Sequence, residues 1–459
     1  MNIMNGKRKL KISEENKVFY RKVFALVLPM ALQNMINVGI TGADVIMLGK
    51  AGETALAGAS LAGQVQFVMN LIFFGLTSGA AVLTAQYWGK QDMRAIEKVM
   101  SIALRLSLIV GLIFTIAAMA VPEALLRIFT SEPPVIAEGV KYLRIVSFSY
   151  ILTSITMTYL NILRSVERVF ISTVVYLLSL LTNVILNAIL IFGYLGFPAM
   201  GVEGAATATL IARILELVIV IFYAFRMNDI VKIRFRDFIA IDRTLFWDFM
   251  IFSLPVVVNE LMWGAGVSAN AAIIGHLGSS AVAANSIAQV IKQLAMVVSF
   301  GISTATAILL GKAIGERKFE EAKVYAEKLR RLSIVFGLIG ACVVLAIRPL
   351  LVSNMSISGQ AKSYLGFMLF VMAYFVMAQA YNCTLIVGVF RAGGDTRYGL
   401  FLDVAFMWGF SIIFGFLAAF VFKWGVLAVY VILMCDELIK IPVATRRYRS
   451  MKWLRNVTR

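Results

Sequence analysis

Long runs of apolar residues, separated by short polar segments, dominate the chain. Runs such as 106–121, 174–192, 332–347 and 401–422 are solidly apolar, and each approaches or reaches the ~20 residues that a helix needs to cross a bilayer. Such runs favour helices over the alternating strands of a membrane barrel, because backbone groups in lipid need partners within the segment or in a closed sheet. The pattern predicts twelve spanning helices, at residues 20–47, 54–88, 100–121, 137–163, 168–194, 200–226, 245–275, 282–313, 329–350, 361–390, 395–422 and 425–447.

Part of this pattern occurs twice. Residues 28–89 align without a gap on residues 254–315, a shift of 226 positions, and 14 of the 62 pairs are identical. The identities include the dipeptide Leu28-Pro29 and the glycines Gly75 and Gly89. The chain is therefore predicted to consist of two related halves of six helices each, an arrangement typical of transporters whose halves rock about a site between them.

The polar segments divide the chain into five parts. They are an N-terminal segment 1–19, a six-helix bundle 20–226, a linker 227–244, a second six-helix bundle 245–447 and a tail 448–459. The linker alternates charged and apolar residues, which predicts an amphipathic stretch on the membrane surface. The predicted fold class is an all-α polytopic membrane protein, with two six-helix bundles related by a pseudo-two-fold repeat.

The net charge of +18 is informative about membrane topology because of where the basic residues lie. Of the 43 lysines and arginines, 33 lie in the terminal regions and alternate loops, seven lie in the opposite loops and three lie within spans (Arg105, Arg213 and Lys292). This asymmetry places both termini in the cytoplasm and the protein in the cell inner (plasma) membrane. The basic charge is thus a topology signal, and no nucleic-acid partner is expected.

Other chemistry is sparse. The three cysteines lie in apolar helices without a pairing pattern, and the single histidine, His276, lies in a short loop. Neither a disulfide nor a resident metal is indicated. No phosphate-binding motif is present, so ATP is not the energy source within this chain.

Ionisable residues inside the predicted spans are the functional candidates, because a charge in the bilayer is costly. Asp44 in the first half and Glu260 in the second are the leading ion-coupling acids, with Asp403 as a candidate second acid beside Glu260. A structural hydrogen bond between helices is the alternative for each acid. Asp436 and Glu437 are adjacent, so their side chains point about 100° apart on a helix and are not expected to face one site.

Polar neighbours of these acids can also be named. Asn183 and Asn187 are one turn apart, so both amides can face one side of their helix, where helix packing is as good an explanation as function. The spacing of Glu437 and Lys440, like that of Arg213 and Glu216, favours structural ion pairs. The other candidate partners or cavity residues are Asn382, Tyr374, Met377 and Gln379.

Several short motifs are spread along the chain. Residues 28–33 read Leu-Pro-Met-Ala-Leu-Gln, and Asp44 precedes Gly49 by five positions. Residues 52–58 begin Gly-Glu-Thr-Ala, residues 183–187 read Asn-Val-Ile-Leu-Asn, and residues 391–396 read Arg-Ala-Gly-Gly-Asp-Thr. Together these motifs resemble the multidrug and toxic compound extrusion (MATE) family in its bacterial NorM-like form, which has an acid before a glycine in the first helix, a similar outer loop, an Asn-x-x-x-Asn/Asp pattern and an Arg-Gly-x-Gly-Asp-Thr segment. Ala392 departs from the last pattern.

The resemblance implies two bundles around a V-shaped central cavity. It implies efflux of bulky, often cationic drugs or toxins in exchange for inward Na⁺ or H⁺, with no cofactor beyond the coupling ion. Glu260 resembles the family's sodium-binding style, and Asn187 stands where some proton-coupled relatives have an acid. We therefore expect Na⁺ rather than H⁺, bound transiently at Glu260, and a monomer in the lipid bilayer.

Other functions of an apolar, duplicated chain have to be weighed. A flippase for a lipid-linked precursor is the main alternative, but its cavity needs arginines and lysines to hold pyrophosphate. The sequence offers only Arg105, Arg213 and Lys292 as deep basic residues, which favours cationic cargo. The sequence lacks the set of catalytic residues that an intramembrane enzyme needs, so no enzymatic activity is expected. Two related halves with lone buried acids fit a carrier better than a channel.

Overall fold

The chain folds almost entirely into α-helices. The computed structural model describes residues 2–239, 242–355 and 357–459, and no β-strand occurs among them. The first half contains α1 (Asn2–Ala51), α2 (Glu53–Lys90), α3 (Met93–Ala120), α4 (Pro122–Arg127), α5 (Pro133–Val146), α6 (Phe148–Ser165), α7 (Phe170–Phe192) and α8 (Gly201–Arg226). A short helix, α9 (Phe235–Ile239), lies in the linker.

The second half follows the same order. It contains α10 (Arg243–His276), α11 (Ser279–Gly315), α12 (Phe319–Asn354), α13 (Gly359–Cys383), α14 (Thr396–Phe406), α15 (Ile413–Phe416), α16 (Val426–Leu433) and α17 (Asp436–Arg449). π-Helical turns at Thr384–Phe390, Met407–Ile412 and Leu417–Val421 extend α13 and join or extend α14 and α15. The predicted all-α fold class is confirmed.

The described helices match the predicted spans, with two breaks. Ten are long and apolar enough to cross a membrane, and α5 and α6 together form an eleventh span that bends by 50°. At the bend the carbonyl of Ser147 accepts a hydrogen bond from the Thr115 hydroxyl at 2.9 Å, which satisfies a backbone group away from water. The twelfth predicted helix, 425–447, is divided into α16 and α17 just before the charged turn at Asp436.

The buried apolar residues form separate cores in the two halves. One core contains only first-half residues, between Leu48 and Ala206, and another contains only second-half residues, between Ile273 and Met434. Two further cores join the halves. One packs first-half residues against Leu245 and Phe249 of α10, and a smaller one packs the part of α1 around Val23 against α11 and Leu329 of α12. Each half therefore has a core of its own, and shared cores hold the two halves together.

The seam between the halves shows the sequence repeat directly. A Cβ atom at Gly89 would overlap the carbonyl of Lys312, and a Cβ atom at Gly315 would overlap the carbonyl of Gln86. The shift of 226 positions converts one of these contacts into the other, since 89 maps to 315 and 86 maps to 312. The ends of α2 and α11 thus meet backbone to backbone about a pseudo-two-fold axis.

The C-terminus and the part of α1 around Phe19 lie at this end of the molecule, which we call the termini end. Lys90, at the end of α2, donates a hydrogen bond to the carbonyl of Arg459. Lys312 is paired with Glu167 in the loop after α6, and the ring of Phe19 in α1 packs on Tyr325 of α12. The segments that carry most of the basic residues therefore share one end. That this end faces the cytoplasm stays a prediction.

The linker between the halves is clamped to α3. Arg94 donates two hydrogen bonds of 2.6 Å to the Asp237 carboxylate, and Lys98 pairs with Asp242 at 3.0 Å. The Lys98 ammonium, together with the backbone N–H of Leu245, holds the pKa of the Asp242 carboxyl below its usual range. The described part of the linker forms no domain of its own, and residues 240–241 lie outside the described residues.

The Arg-Ala-Gly-Gly-Asp-Thr segment at 391–396 anchors the C-terminal tail. The carboxylate of Asp395 accepts two hydrogen bonds from Arg447 at 2.8 and 2.9 Å. The carbonyl of Trp453 lies where a Cβ atom of residue 393 would be, so only glycine allows this approach. This part of the motif therefore has a packing role.

We predict that the termini end is cytoplasmic and the opposite end is outside. In a variant without Cys342, Cys383 and Cys435, a cysteine introduced at Ser279 should react with an impermeant maleimide in intact cells. A cysteine introduced at Glu320 should react only after permeabilisation. Both positions are exposed, and they lie at opposite ends because they flank the length of α11. The reverse labelling pattern would overturn the topology.

We also predict that Gly79→Ala weakens the contact between the halves. A Cβ atom at position 79 would overlap Ser253 of α10, and overpacking of this kind typically costs about 1–3 kcal/mol. The Tm of the purified protein in detergent should fall. Gly63→Ala, on the same helix but with no atom near the new methyl group, should leave Tm unchanged or raise it. Equal effects of both substitutions would contradict a tight seam at Gly79.

Candidate functional site

In the first half, Asp44 is held by a chain of amides. The side chain of Asn187 in α7 donates hydrogen bonds to the Asp44 carboxylate in α1 and, at 3.1 Å, to the carbonyl oxygen of Asn183. Asn183 in turn donates to the Thr209 hydroxyl of α8 at 3.3 Å. Both asparagines are almost fully buried, at 0 and 2% exposure. The structure thus brings together the predicted acid and both predicted asparagines.

Asp44 lacks a cation in direct contact. Among the described residues no lysine or arginine nitrogen lies within 4.0 Å of its carboxylate, whereas the neighbouring Arg213 is paired with Glu216 at 2.7 Å, as the spacing predicts. Amides can hold a carboxylate in place but cannot neutralise it. Asp44 is therefore a partly buried acid whose charge is left for another cation or a proton to balance.

In the second half, Glu260 is paired with an arginine. A terminal nitrogen of Arg391 lies 2.8 Å from the Glu260 carboxylate, and Arg391 is only 3% exposed. The other terminal nitrogen donates to the hydroxyl of Ser78 in α2, so the pair also touches the first half. The assignment of Arg391 to a solvated basic loop was wrong. Its backbone lies at the end of the helix, and its long side chain turns back into the protein.

Asp403 belongs to a second charged cluster near Glu260. One carboxylate oxygen accepts a hydrogen bond from Asn259 at 2.9 Å, and the other lies 2.8 Å from the Lys440 ammonium. Lys440 also pairs with Glu437 at 3.2 Å, in the predicted pairing. Asn259 precedes Glu260 on α10, so a neighbouring amide, and no direct hydrogen bond, connects the two predicted second-half acids.

Asn382 supports the same cluster from α13. Its amide donates to both the side-chain and the backbone oxygen of Glu437, at 2.7 and 2.6 Å. The predicted polar neighbour of the second-half acids therefore contacts Glu437.

A cavity of about 80 Å³ opens beside this cluster. Asp403, Asp436, Glu437 and Gln379 all line it, and so does Lys292. The expectation that Asp436 and Glu437 cannot face one site was therefore wrong. The physical reason is that α17 begins at Asp436, so both residues belong to the first turn and border the space at the helix end.

The remaining predicted cavity residues differ in placement. Gln379 lies in the cavity wall with its side-chain oxygen lacking a hydrogen-bond partner. Tyr374 and Met377 are partly buried on the same helix, α13, but belong to the wall of neither this cavity nor the one described next.

A second cavity, of about 60 Å³, lies between the two halves near the termini end. Sequence reasoning missed it because its two charged residues, Arg164 and Arg391, were counted with the basic loops. The structure places Arg164 in α6 and both guanidinium groups in the cavity wall. The premise that only three deep basic residues exist was therefore wrong. The available signal was that each arginine directly follows a predicted span, which ends at residue 163 or 390.

Comparison with known proteins agrees with this geometry. The MatE family model matches the chain twice, at residues 29–189 and 255–417. The starting residues, 29 and 255, differ by 226, the same shift as the sequence repeat. The family unit is therefore one half of this chain, present in two copies.

Individual relatives cover nearly the whole chain. The "Probable multidrug resistance protein NorM" of Rhizobium meliloti is 24% identical over 417 residues, covering 90% of this chain and 89% of its own. The "Uncharacterized transporter YisQ" of Bacillus subtilis is 20% identical over 434 residues, covering 94% of each. A solved outward-facing multidrug resistance MATE family transporter of the MOP superfamily superposes with a TM-score of 0.85 at 22% identity, covering 94% of this chain and 96% of that chain.

The family model covers more than half of the chain, and the paired matches coincide with the two structural halves. The chain therefore belongs to the MATE family of efflux transporters.

Proposed function

We propose that the chain is a secondary active antiporter that exports bulky, often cationic organic compounds in exchange for inward Na⁺ or H⁺. Membership of the MATE family and similarity to NorM proteins support the broader function, multidrug efflux through a membrane. The coupling ion and the class of cargo are the parts that we add. No cofactor other than the coupling ion and no enzymatic step belong to this proposal.

The observation that carries the proposal is the state of Asp44. It is partly buried in the first bundle, held by the Asn187 amide, and has no lysine or arginine nitrogen within 4.0 Å among the described residues. A carboxylate in this setting needs a positive charge and can take it from H⁺, Na⁺ or a cationic drug. One acid that accepts either the ion or the drug is a sufficient basis for exchange.

Three second-half acids differ from Asp44 because protein cations already balance them. Arg391 is paired with Glu260, and Lys440 is paired with both Asp403 and Glu437. Sodium at Glu260 remains our prediction, and it requires Arg391 to release the carboxylate. The proposed exchange thus begins at Asp44 and involves Glu260 when the ion pair opens.

We place the protein in the cell inner membrane as a monomer with both termini in the cytoplasm. The charge asymmetry of the sequence supports this orientation. The described structure is closed at the termini end by the backbone contacts of Gly89 and Gly315. In this orientation the described state is closed toward the cytoplasm.

A flippase for a lipid-linked precursor is the second candidate. Arg164 and Arg391 in the cavity between the halves favour it, because a pyrophosphate needs basic partners. The acids of the two bundles favour the antiporter, because Asp44 has no paired lysine or arginine among the described residues and can bind a cation.

The proposed antiport predicts a gradient requirement for dye transport that depends on Asp44. Everted vesicles, loaded with either Na⁺ or acid and clamped to the same membrane potential, should take up ethidium under at least one of these gradients. Asp44→Asn should reduce the initial rate at least about tenfold, because it keeps the side-chain volume but removes the charge. Ethidium fluorescence gives the rate.

Glu53→Gln is the matched control for this assay. Glu53 is exposed at the start of α2, so its neutralisation should leave uptake near the wild-type rate. Ethidium uptake that depends on neither the Na⁺ gradient nor the H⁺ gradient would overturn the proposal of antiport. A wild-type rate for Asp44→Asn at equal expression would remove Asp44 from the mechanism.

We further predict that Glu260→Gln abolishes ethidium uptake while the protein remains folded. The substitution removes the carboxylate that the ion must reach and leaves Arg391 without its partner. The double variant Glu260→Gln, Arg391→Gln separates these effects, because it removes both charges of the pair. If Glu260 takes part in coupling, the double variant stays inactive; elution profile and Tm report folding. Recovery of transport in the double variant would show that the pair is only structural.

A further inference from the structure

The cavity between the two halves is lined by hydroxyl, amide and guanidinium groups. Its polar wall residues come from α2 and α6 of the first half and from α11 and the end of the α13 segment in the second. They are Thr77, Ser78, Asn161, Arg164, Ser165, Thr304 and Arg391. We call this space the arginine cavity. Its volume of about 60 Å³ holds a few water molecules or one small polar group of a larger ligand.

The charge of this wall is positive. None of its residues is an aspartate or a glutamate. Arg391 is balanced by Glu260 from outside the wall. For Arg164 no carboxylate oxygen lies within 4.0 Å in the described part of the chain, and its buried Nε atom has no hydrogen-bond partner. Arg164 is thus the uncompensated cation of the cavity.

An arginine in this state is unfavourable unless something binds it. Removing a guanidinium from water costs several kcal/mol when no counter-ion is present. Its planar fork of N–H donors matches the oxygen pair of a carboxylate or phosphate, and such paired hydrogen bonds are among the strongest in proteins. The missing partner of Arg164 is therefore an anion with two or more oxygens.

The neighbouring groups add donors for the same anion. The Ser78 oxygen accepts a hydrogen bond from Arg391 at 2.9 Å, which leaves its own O–H free to donate. Arg164 lies at the end of α6 in the first half and Arg391 at the end of the α13 segment in the second, so the two arginines approach the seam from opposite halves. The cavity is a basic site shared by both halves.

We propose that the arginine cavity binds an acidic group of the cargo, a carboxylate, sulfonate or phosphate, through Arg164. Arg391, oriented by Glu260, is the second basic residue in the wall of this subsite. The inference rests on the proposed export function and narrows its cargo to compounds that carry an acid, including those that also carry a cation. Such cargo satisfies Arg164 and leaves any cationic part free to bind a carboxylate outside the arginine cavity.

Binding of a matched dye pair to the purified protein in nanodiscs tests this. Rhodamine B carries a free carboxylate, and its ethyl ester does not. Fluorescence anisotropy should show that Arg164→Gln raises the Kd for rhodamine B at least about tenfold, with the Kd for the ester nearly unchanged. Arg164→Lys should retain part of the affinity, because it keeps the charge but loses the fork.

Arg168→Gln is the matched control, since Arg168 is exposed and only four residues further along. It should leave both Kd values unchanged. Equal weakening of both dyes by Arg164→Gln would show a general structural role and overturn the subsite, as would no effect on either. The assay needs no ion gradient, so failure of the antiport would be seen separately, in the vesicle experiment.

Competition distinguishes two sources of the acidic group. Displacement of rhodamine B by inorganic pyrophosphate supports an anion subsite open to soluble cargo. Displacement by farnesyl pyrophosphate alone supports the same subsite filled by the headgroup of a lipid. Displacement by neither contradicts an anion subsite in this cavity.

Discussion

The backbone contact between the ends of α2 and α11 is the constraint on which the rest of the structure depends. Gly89 lies against Lys312 and Gly315 lies against Gln86, each without room for a side chain. Because these contacts are exchanged by the repeat, they hold the two bundles about one axis and close the molecule at the termini end. That closure also creates the arginine cavity, since its wall comes from both halves. A side chain at either glycine would therefore disturb the seam and the cavity together.

Charge compensation then separates structural groups from functional ones. In an apolar bundle a charge is stable when an opposite charge touches it, as in the pairs Arg213–Glu216 and Lys440–Asp403. In the described part of the chain, several groups depart from this rule. Asp44 has an amide partner but no lysine or arginine nitrogen within 4.0 Å, Asp436 is buried without an ion pair, and Arg164 has no carboxylate oxygen within 4.0 Å. A carrier needs groups of this kind, because a charge that the protein does not itself neutralise can bind an ion or a charged cargo reversibly.

Much of the fold depends on local pattern and could be predicted from the sequence. Apolar run length predicted the helices, the repeat predicted the two halves, and a one-turn spacing predicted that Asn183 and Asn187 share a face of their helix. It failed where a long side chain leaves a helix end. Arg164 and Arg391 look like loop residues in the sequence, and only the approach of the two halves decides that they turn inward. The bend at Ser147 was not predicted for a similar reason. The hydroxyl that bonds the Ser147 carbonyl belongs to Thr115, which lies on another helix.

The seam and the charges meet at Arg391. Its guanidinium binds Glu260 of its own half and the Ser78 hydroxyl of the other half. A motion that separates α2 from the end of the α13 segment must break the bond between Arg391 and Ser78. If Glu260 binds the coupling ion, as we propose, the ion competes with Arg391 for the Glu260 carboxylate and weakens the bond to Ser78. By linkage, ion binding and opening of the seam then favour each other. The proposal therefore assigns the closed seam to the ion-free state of Glu260.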